Sequence, residues 1–199
     1  MPKIKLSLRK IPGVSSDINH IIEVLSKGGS IIYPTDTVWG LGCDASNEEA
    51  VKKIFDLKNR ASNTPLIVLL HNENQLFDYV EEVPEIAFEL MELSTRPLTI
   101  VFEKGKNLAP QVLGKDGSIA IRLCKNKACL DLLRKWNKAL VSTSVNISGK
   151  PHAHSIEEMD AELVDKVDAI YNKEYLIENT QPSQVMKVNA NGSFSIIRK

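Results

Sequence analysis

Neither sign of charge is in excess: Lys and Arg number 25, Asp and Glu 25, a formal net charge of +0 over 199 residues. No bulk field therefore draws the chain to nucleic acid, and an RNA partner would need a local basic patch. No apolar run approaches the roughly 18 residues of a membrane-spanning helix, and no secretory leader is legible, so no membrane partner is expected. Cysteine is scarce. Cys43, Cys124 and Cys129 make neither an even disulfide set nor a metal quartet, and a reducing cytoplasm suits them best. His152 and His154 lack further ligands nearby and read as a loop detail, so no metal site is expected. A Gly-rich phosphate loop and a dinucleotide fingerprint are both missing, and no Cys/His/Asp grouping marks a covalent nucleophile. What remains for chemistry is hydroxyls, amides and cations, a set that binds anions and stabilises charge.

Apolar residues make up 43% and charged ones 25%, a globular composition for one domain spanning 1–199. The stretch from Ser30 to Gly42 organises the rest: a β-branched run, Ile31-Ile32-Tyr33, breaks at Pro34 into Thr35-Asp36-Thr37-Val38-Trp39-Gly40-Leu41-Gly42. A buried strand ending in a polar loop is where α/β proteins place chemistry; an ordinary strand-to-helix connection, its Thr and Asp bonding local backbone, also fits. Residues 1–14 alternate Lys with Ile4, Leu6 and Leu8, as a short edge strand does.

Helices are expected after Asp17 (Ile18, Ile21, Ile22 and Leu25 inward), after a Ser46/Glu49 capping box (Ala50, Val51, Ile54 and Phe55 inward) and from Pro84 to Leu93 (Ile86, Leu90 and Leu93 inward). Two more carry Ala128, Cys129, Leu132, Leu133 and Trp136 on one stripe, and a Ser155/Glu158 capping box running to about Val167. Strands are expected at Pro65–Leu70, Leu98–Phe102, Ser118–Leu123, Ala139–Thr143, Asp168–Tyr171, Gln184–Val188 and Phe194–Ile197. Interleaved in this way they predict an α/β fold with a mixed, twisted sheet.

Lys58 and Arg60 stand two apart past a helix end. In an extended chain both would leave one side about 7 Å apart, a spacing that suits phosphates; they suit a helix C-terminus equally. Ser144 and Asn146, with Ser142 on the same side, end a strand and are able to hold phosphate, ribose or a purine edge, or to cap the next turn. Arg122 lies inside an apolar strand and needs an anion if buried, either an internal carboxylate or a substrate's.

Together these pieces resemble the YrdC-like family of threonylcarbamoyl-adenylate synthases. The matching elements are Tyr33 to Gly42, Lys58-x-Arg60 with Pro65-Leu66, Pro97-Leu98-Thr99, Ala120-Ile121-Arg122, and Ser142-Thr143-Ser144-Val145-Asn146-Ile147-Ser148-Gly149. Each is weak alone; their ordered set, spanning nearly the whole chain, is specific. The resemblance implies an open twisted mixed sheet with flanking helices around a concave basic cavity. It implies synthesis of threonylcarbamoyl-AMP and pyrophosphate from L-threonine, bicarbonate and ATP with Mg²⁺, feeding tRNA threonylcarbamoyl-transfer machinery. By the same resemblance Thr35, Arg122, Ser142 and Ser183 would bind threonine, Arg122 meeting its carboxylate. Lys58, Arg60, Ser118, Ser144, Asn146 and Arg198 would hold ATP, with Lys58 and Arg60 as the catalytic pair. The chain departs from the family pattern at Ser94-Thr95-Arg96 (commonly Trp-Pro-Gly), at Gln184 (commonly Thr), at Leu69 (His in some members), and in ending at Arg198-Lys199 without Pro-Gly. Two alternatives stand beside the synthase: a non-catalytic module binding double-stranded RNA or tRNA, and a paralogous carbamoyl-adenylate former.

Overall fold

The computed structural model describes residues 14–59, 66–146, 153, 155–172 and 182–199. In chain order the elements are β1 (Val14–Ser15), α1 (Ile18–Ser26), β2 (Ile31–Tyr33), β3 (Gly40–Gly42), α2 (Glu48–Leu57), β4 (Ile67–Leu70), α3 (Leu76–Tyr79) and α4 (Glu85–Leu93). There follow β5 (Leu98–Phe102), β6 (Ile119–Leu123), α5 (Lys127–Trp136), β7 (Leu140–Ser144), α6 (Ala161–Lys166), β8 (Ala169–Tyr171), β9 (Gln184–Val188) and β10 (Phe194–Arg198). Among the described residues the strands form one open mixed sheet in the order β1-β8-β2-β3-β7-β4-β6-β5-β9-β10, the α/β architecture expected.

Helices cover both faces. Ile21 and Leu25 of α1 and Leu132 and Trp136 of α5 bury Ile31, Tyr33, Leu69 and Leu140 on one side. Val51 and Ile54 of α2 pack with Ile32, Leu41, Val68 and Val141 on the other. Coverage on both faces is why β2 and β4 read as continuous apolar runs, each large side chain so buried contributing about 1.5–3 kcal/mol before entropy is counted. No helix among the described residues is long and apolar enough to cross a membrane.

Several local expectations are corrected. The stretch after Pro34 leads into a hairpin rather than a helix, because Gly40-Leu41-Gly42 is a strand, antiparallel to β2 and to β7. Its glycines are required by crowding: a Cβ on Gly42 would stand 1.9 Å from the Val141 carbonyl oxygen, and one on Gly40 2.9 Å from Thr35 Cγ2. Asn47, not Ser46, caps α2 through Ala50 N–H; Ser46 stands one residue before the cap and donates its Oγ to Asp44 Oδ1 at 2.6 Å. Asp160, not Ser155, caps α6, residues Ile156–Glu158 being a separate 3-10 turn. The inward stripe of α4 is Ala87 and Met91; Ile86 and Leu90 pack at its margin and Leu93 is exposed. Of the strand expected over 1–14, only residue 14 is described, and it opens β1 at the sheet edge. Arg60, Pro65, Ile147, Ser148, Gly149, His152 and His154 lie outside the described residues.

Candidate active site

Strand register builds the site. Leu69 of β4 stands opposite Arg122 of β6, and Ile67 opposite Ser142 of β7, so these side chains share the face that α1 and α5 cover. Thr99 of β5 stands opposite Arg122, and Gly40 of β3 opposite Ser144. Beside the helix-covered ground, this face carries a cavity of about 270 Å³. Of the residues singled out by sequence, Thr35, Arg122, Ser142, Ser144, Ser183 and Arg198 line it.

The loop from Pro34 to Trp39 folds back over the strand ends and is held by its own hydroxyls. Thr35 Oγ1 donates to the Val38 carbonyl at 2.6 Å and accepts the Thr37 N–H at 3.2 Å. Local capping and cavity lining therefore coexist at Thr35, which is buried. Asp36, within the same loop, accepts the Cys124 thiol proton on Oδ1 at 2.5 Å. Its Oδ2 is 3.8 Å from Arg122 Nε, with the two side chains 9% and 5% exposed. That distance exceeds a hydrogen bond, and both atoms are buried with no hydrogen-bond partner. Arg122 also reaches Thr37 Oγ1 through Nη1 in a long contact of 3.5 Å. Of the two sequence readings of Arg122, the structure shows the internal carboxylate, Asp36, at a distance longer than a hydrogen bond.

The second cluster is tighter. Lys58 is the C-cap of α2 and is buried. Its Nζ donates to the Ser144 carbonyl, to the Asn146 carbonyl at 2.8 Å and to Asn146 Oδ1 at 3.3 Å. Ser144 Oγ donates to the same Asn146 Oδ1 at 2.5 Å. Lys58, Ser144 and Asn146 are thus one unit, of which Ser144 lines the cavity. The extended backbone that the phosphate-spacing reading of Lys58-x-Arg60 supposed is not present: Lys58 is helical and Asn59 left-handed, φ 48°. The same-side argument for that pair falls, and Lys58 is not an exposed cation.

At the third corner Ser183 Oγ shares a 2.9 Å hydrogen bond with Thr99 Oγ1. Arg198 donates from Nε to the Ser183 carbonyl at 3.0 Å and from Nη2 to Ser183 Oγ at 3.3 Å. Ser118 is apart from this group. It lies just before β6, at the end away from Arg122, with its N–H on Asp116 Oδ1 at 3.1 Å, and does not line the cavity. Sequence reasoning placed Asp36, Thr37 and Thr99 within its matching stretches without giving them a role at the site, and it missed Cys124. Only the sheet register and the loop's return bring them in.

Burial, and then neighbouring Cys129 and Asp36, push the Cys124 thiol well above the usual thiol range, so it stays a proton donor. Burial likewise raises Tyr33, whose hydroxyl donates to the Val141 carbonyl at 2.9 Å beneath the loop. Among the described residues no three His, Cys, Asp or Glu side chains converge as a metal site.

The family described as telomere recombination (Sua5/YciO/YrdC) matches residues 23–199. The chain belongs to the Sua5/YciO/YrdC family. A family relative in Pseudoalteromonas translucida, named threonylcarbamoyl-AMP synthase, is 33% identical over 173 residues, covering 85% of this chain and 92% of its own. One of the same name in Stenotrophomonas maltophilia is 35% identical over 161 residues, covering 79% and 86%. Among solved family structures, P. abyssi Sua5 complexed with L-threonine matches with a TM-score of 0.77 at 28% identity over 86% of this chain. This chain spans 50% of that Sua5's length. E. coli YciO matches with a TM-score of 0.78 at 27% identity, covering 92% of this chain and 88% of its own.

Proposed function

We propose that this chain is an L-threonylcarbamoyladenylate synthase of tRNA modification, a nucleotidyltransferase using L-threonine, bicarbonate and ATP. The carrying observation is the cavity itself. The Arg122 guanidinium and the hydroxyl residues Thr35, Ser142 and Ser183 line one cavity together with Ser144, whose Oγ bonds the Asn146 side chain. Arg122 takes the threonine carboxylate, and the hydroxyls surround its side chain. Ser144 and Asn146, braced by Lys58, hold the nucleotide with Arg198 across the cavity; Arg60 belongs to that ATP set by family resemblance, whereas Ser118, expected there by the same resemblance, does not line the cavity.

The chemistry asks for positioning and neutralisation, not for a protein nucleophile. Bicarbonate and the threonine amine condense to a carbamate and water. A carbamate oxygen attacks the α-phosphorus of ATP, its P–O bond forms as the bond to the β-phosphate oxygen breaks, and pyrophosphate leaves. Lys58 and Arg60 would offset charge on the leaving phosphates. Mg²⁺ would arrive on the ATP phosphates, the described residues offering it no cage of their own. The mixed anhydride formed is a substrate for transfer to a tRNA adenosine by partner enzymes. A cytoplasmic setting goes with three free, buried cysteines.

Pyrophosphate release from ATP, measured with and without threonine and bicarbonate, tests this reading. Release should require both. One missing methyl should leave serine about 10–200-fold poorer, and valine, lacking the hydroxyl, poorer still. Release that is equal for all three amino acids, or that occurs with none, overturns it and favours the RNA-binding alternative.

A further inference from the structure

Asp36 and Arg122 pose a physical problem that the proposed reaction does not by itself answer. Two opposite charges, both nearly buried, stop 3.8 Å apart, and the facing atoms Oδ2 and Nε bond to nothing else. A carboxylate and a guanidinium left to themselves close to a bidentate pair with N–O distances near 2.8 Å. The Cys124 thiol, directly after β6, donates to Asp36 Oδ1 at 2.5 Å. The thiol is itself fixed, because Cys124 is buried against α5 and its N–H donates to the Leu70 carbonyl at 3.2 Å.

We propose that Cys124 is a positioning residue: by tethering Asp36 it keeps the carboxylate from closing on Arg122, leaving that guanidinium free to receive the substrate carboxylate. Asp36 is then a counter-charge that makes a buried Arg122 tolerable without consuming its donors. The shift in the thiol's titration agrees with this, because only a protonated thiol donates. The inference rests on the synthase reading for the substrate's identity, and adds a residue to it that never touches substrate.

The test is calorimetric titration of L-threonine and of ATP, with steady-state pyrophosphate release, on wild type, Cys124→Ala, Cys124→Ser, Asp36→Ala and the Cys124→Ala/Asp36→Ala double variant. Cys124→Ala should weaken threonine binding and raise its KM about fivefold, the scale of one hydrogen bond. ATP affinity and kcat at saturating threonine should stay unchanged. Cys124→Ser, which keeps a donor, should restore wild-type KM, and thermal unfolding of each variant separates this from loss of fold. In the Asp36→Ala background the Cys124→Ala change should have no further effect, since no carboxylate remains to be restrained. A wild type that binds no threonine overturns the synthase reading, and this inference with it. A wild type that binds threonine, with Cys124→Ala binding it equally well, overturns the tether alone, as does an equal fall in threonine and ATP affinity. If Cys124→Ala does not fold, the serine variant decides: threonine affinity lost with ATP affinity kept contradicts a role as donor.

Discussion

Arg122 and Lys58 are two buried cations of the site, 4% and 3% exposed, yet differently employed. Lys58 Nζ rests on carbonyl oxygens of Ser144 and Asn146 and on the Asn146 side chain, and so ties the end of α2 to the strand end of β7. Arg122 has one loose carboxylate, one long hydroxyl contact and an Nε with no bond. A buried cation whose donors are already engaged is building a site. One whose donors are held back is presented to a ligand. On the function proposed above, the first shapes the nucleotide corner and the second reads the amino acid.

The largest effect that would sharpen this contrast is at Arg122. Arg122→Ala should abolish threonine-dependent pyrophosphate release while ATP still binds, and should cost about 3 kcal/mol of stability by stranding Asp36 without its cation. Denaturant unfolding and nucleotide titration separate the two consequences. Arg122→Lys, which keeps the charge, should retain the fold and raise the threonine KM. If Arg122→Ala keeps wild-type turnover, the arginine is a structural ion-pair member.

Next comes Lys58. Lys58 is buried and its Nζ is engaged by carbonyl oxygens. Lys58→Met should destabilise by about 1–3 kcal/mol, because the carbonyls it serves lose a buried donor. ATP binding should weaken as Ser144 and Asn146 loosen, while threonine affinity changes little. Unchanged unfolding in urea would show that the bonds from Nζ carry no weight, and the contrast with Arg122 would collapse.

The smallest effect is at Thr35, whose hydroxyl already bridges Val38 and Thr37. Thr35→Val should lower stability by about 1 kcal/mol. It should also narrow the preference for threonine over valine in the pyrophosphate assay, because the hydroxyl ring has lost one member. A preference that remains at the wild-type ratio would remove Thr35 from substrate selection and leave it a loop clasp.

Elements with strong periodicity were legible in sequence: α1, α2 and α5 carry the inward residues their spacing predicts, and β4 to β7 fall where apolar runs stand. What was not legible depends on a neighbour from elsewhere in the chain. Gly40-Leu41-Gly42 looks like a loop because glycine weakens strands, yet the nearness of Val141 and Thr35 makes glycine the residue that fits there. Ser46 looks like a cap, but the helix starts one residue later and Asn47 caps it. Lys58-x-Arg60 looks extended until Asn59 turns left-handed. The site residues that carry a hydroxyl, an amide or a cation could be chosen from sequence and resemblance. The contacts of Asp36 and Thr99, and the presence of Cys124, could not, because they come from register and from a hairpin that returns over the sheet.

The claim at the centre of this account is that Arg122 is kept unsatisfied in order to bind a carboxylate. It is tested most directly by titrating wild-type protein with L-threonine and with L-threoninamide, which differ only in that carboxylate. Threoninamide should bind at least about tenfold more weakly, the loss of a charge-assisted contact to arginine, and Arg122→Lys should bind the two more nearly alike. Equal affinity of the wild type for both would contradict it.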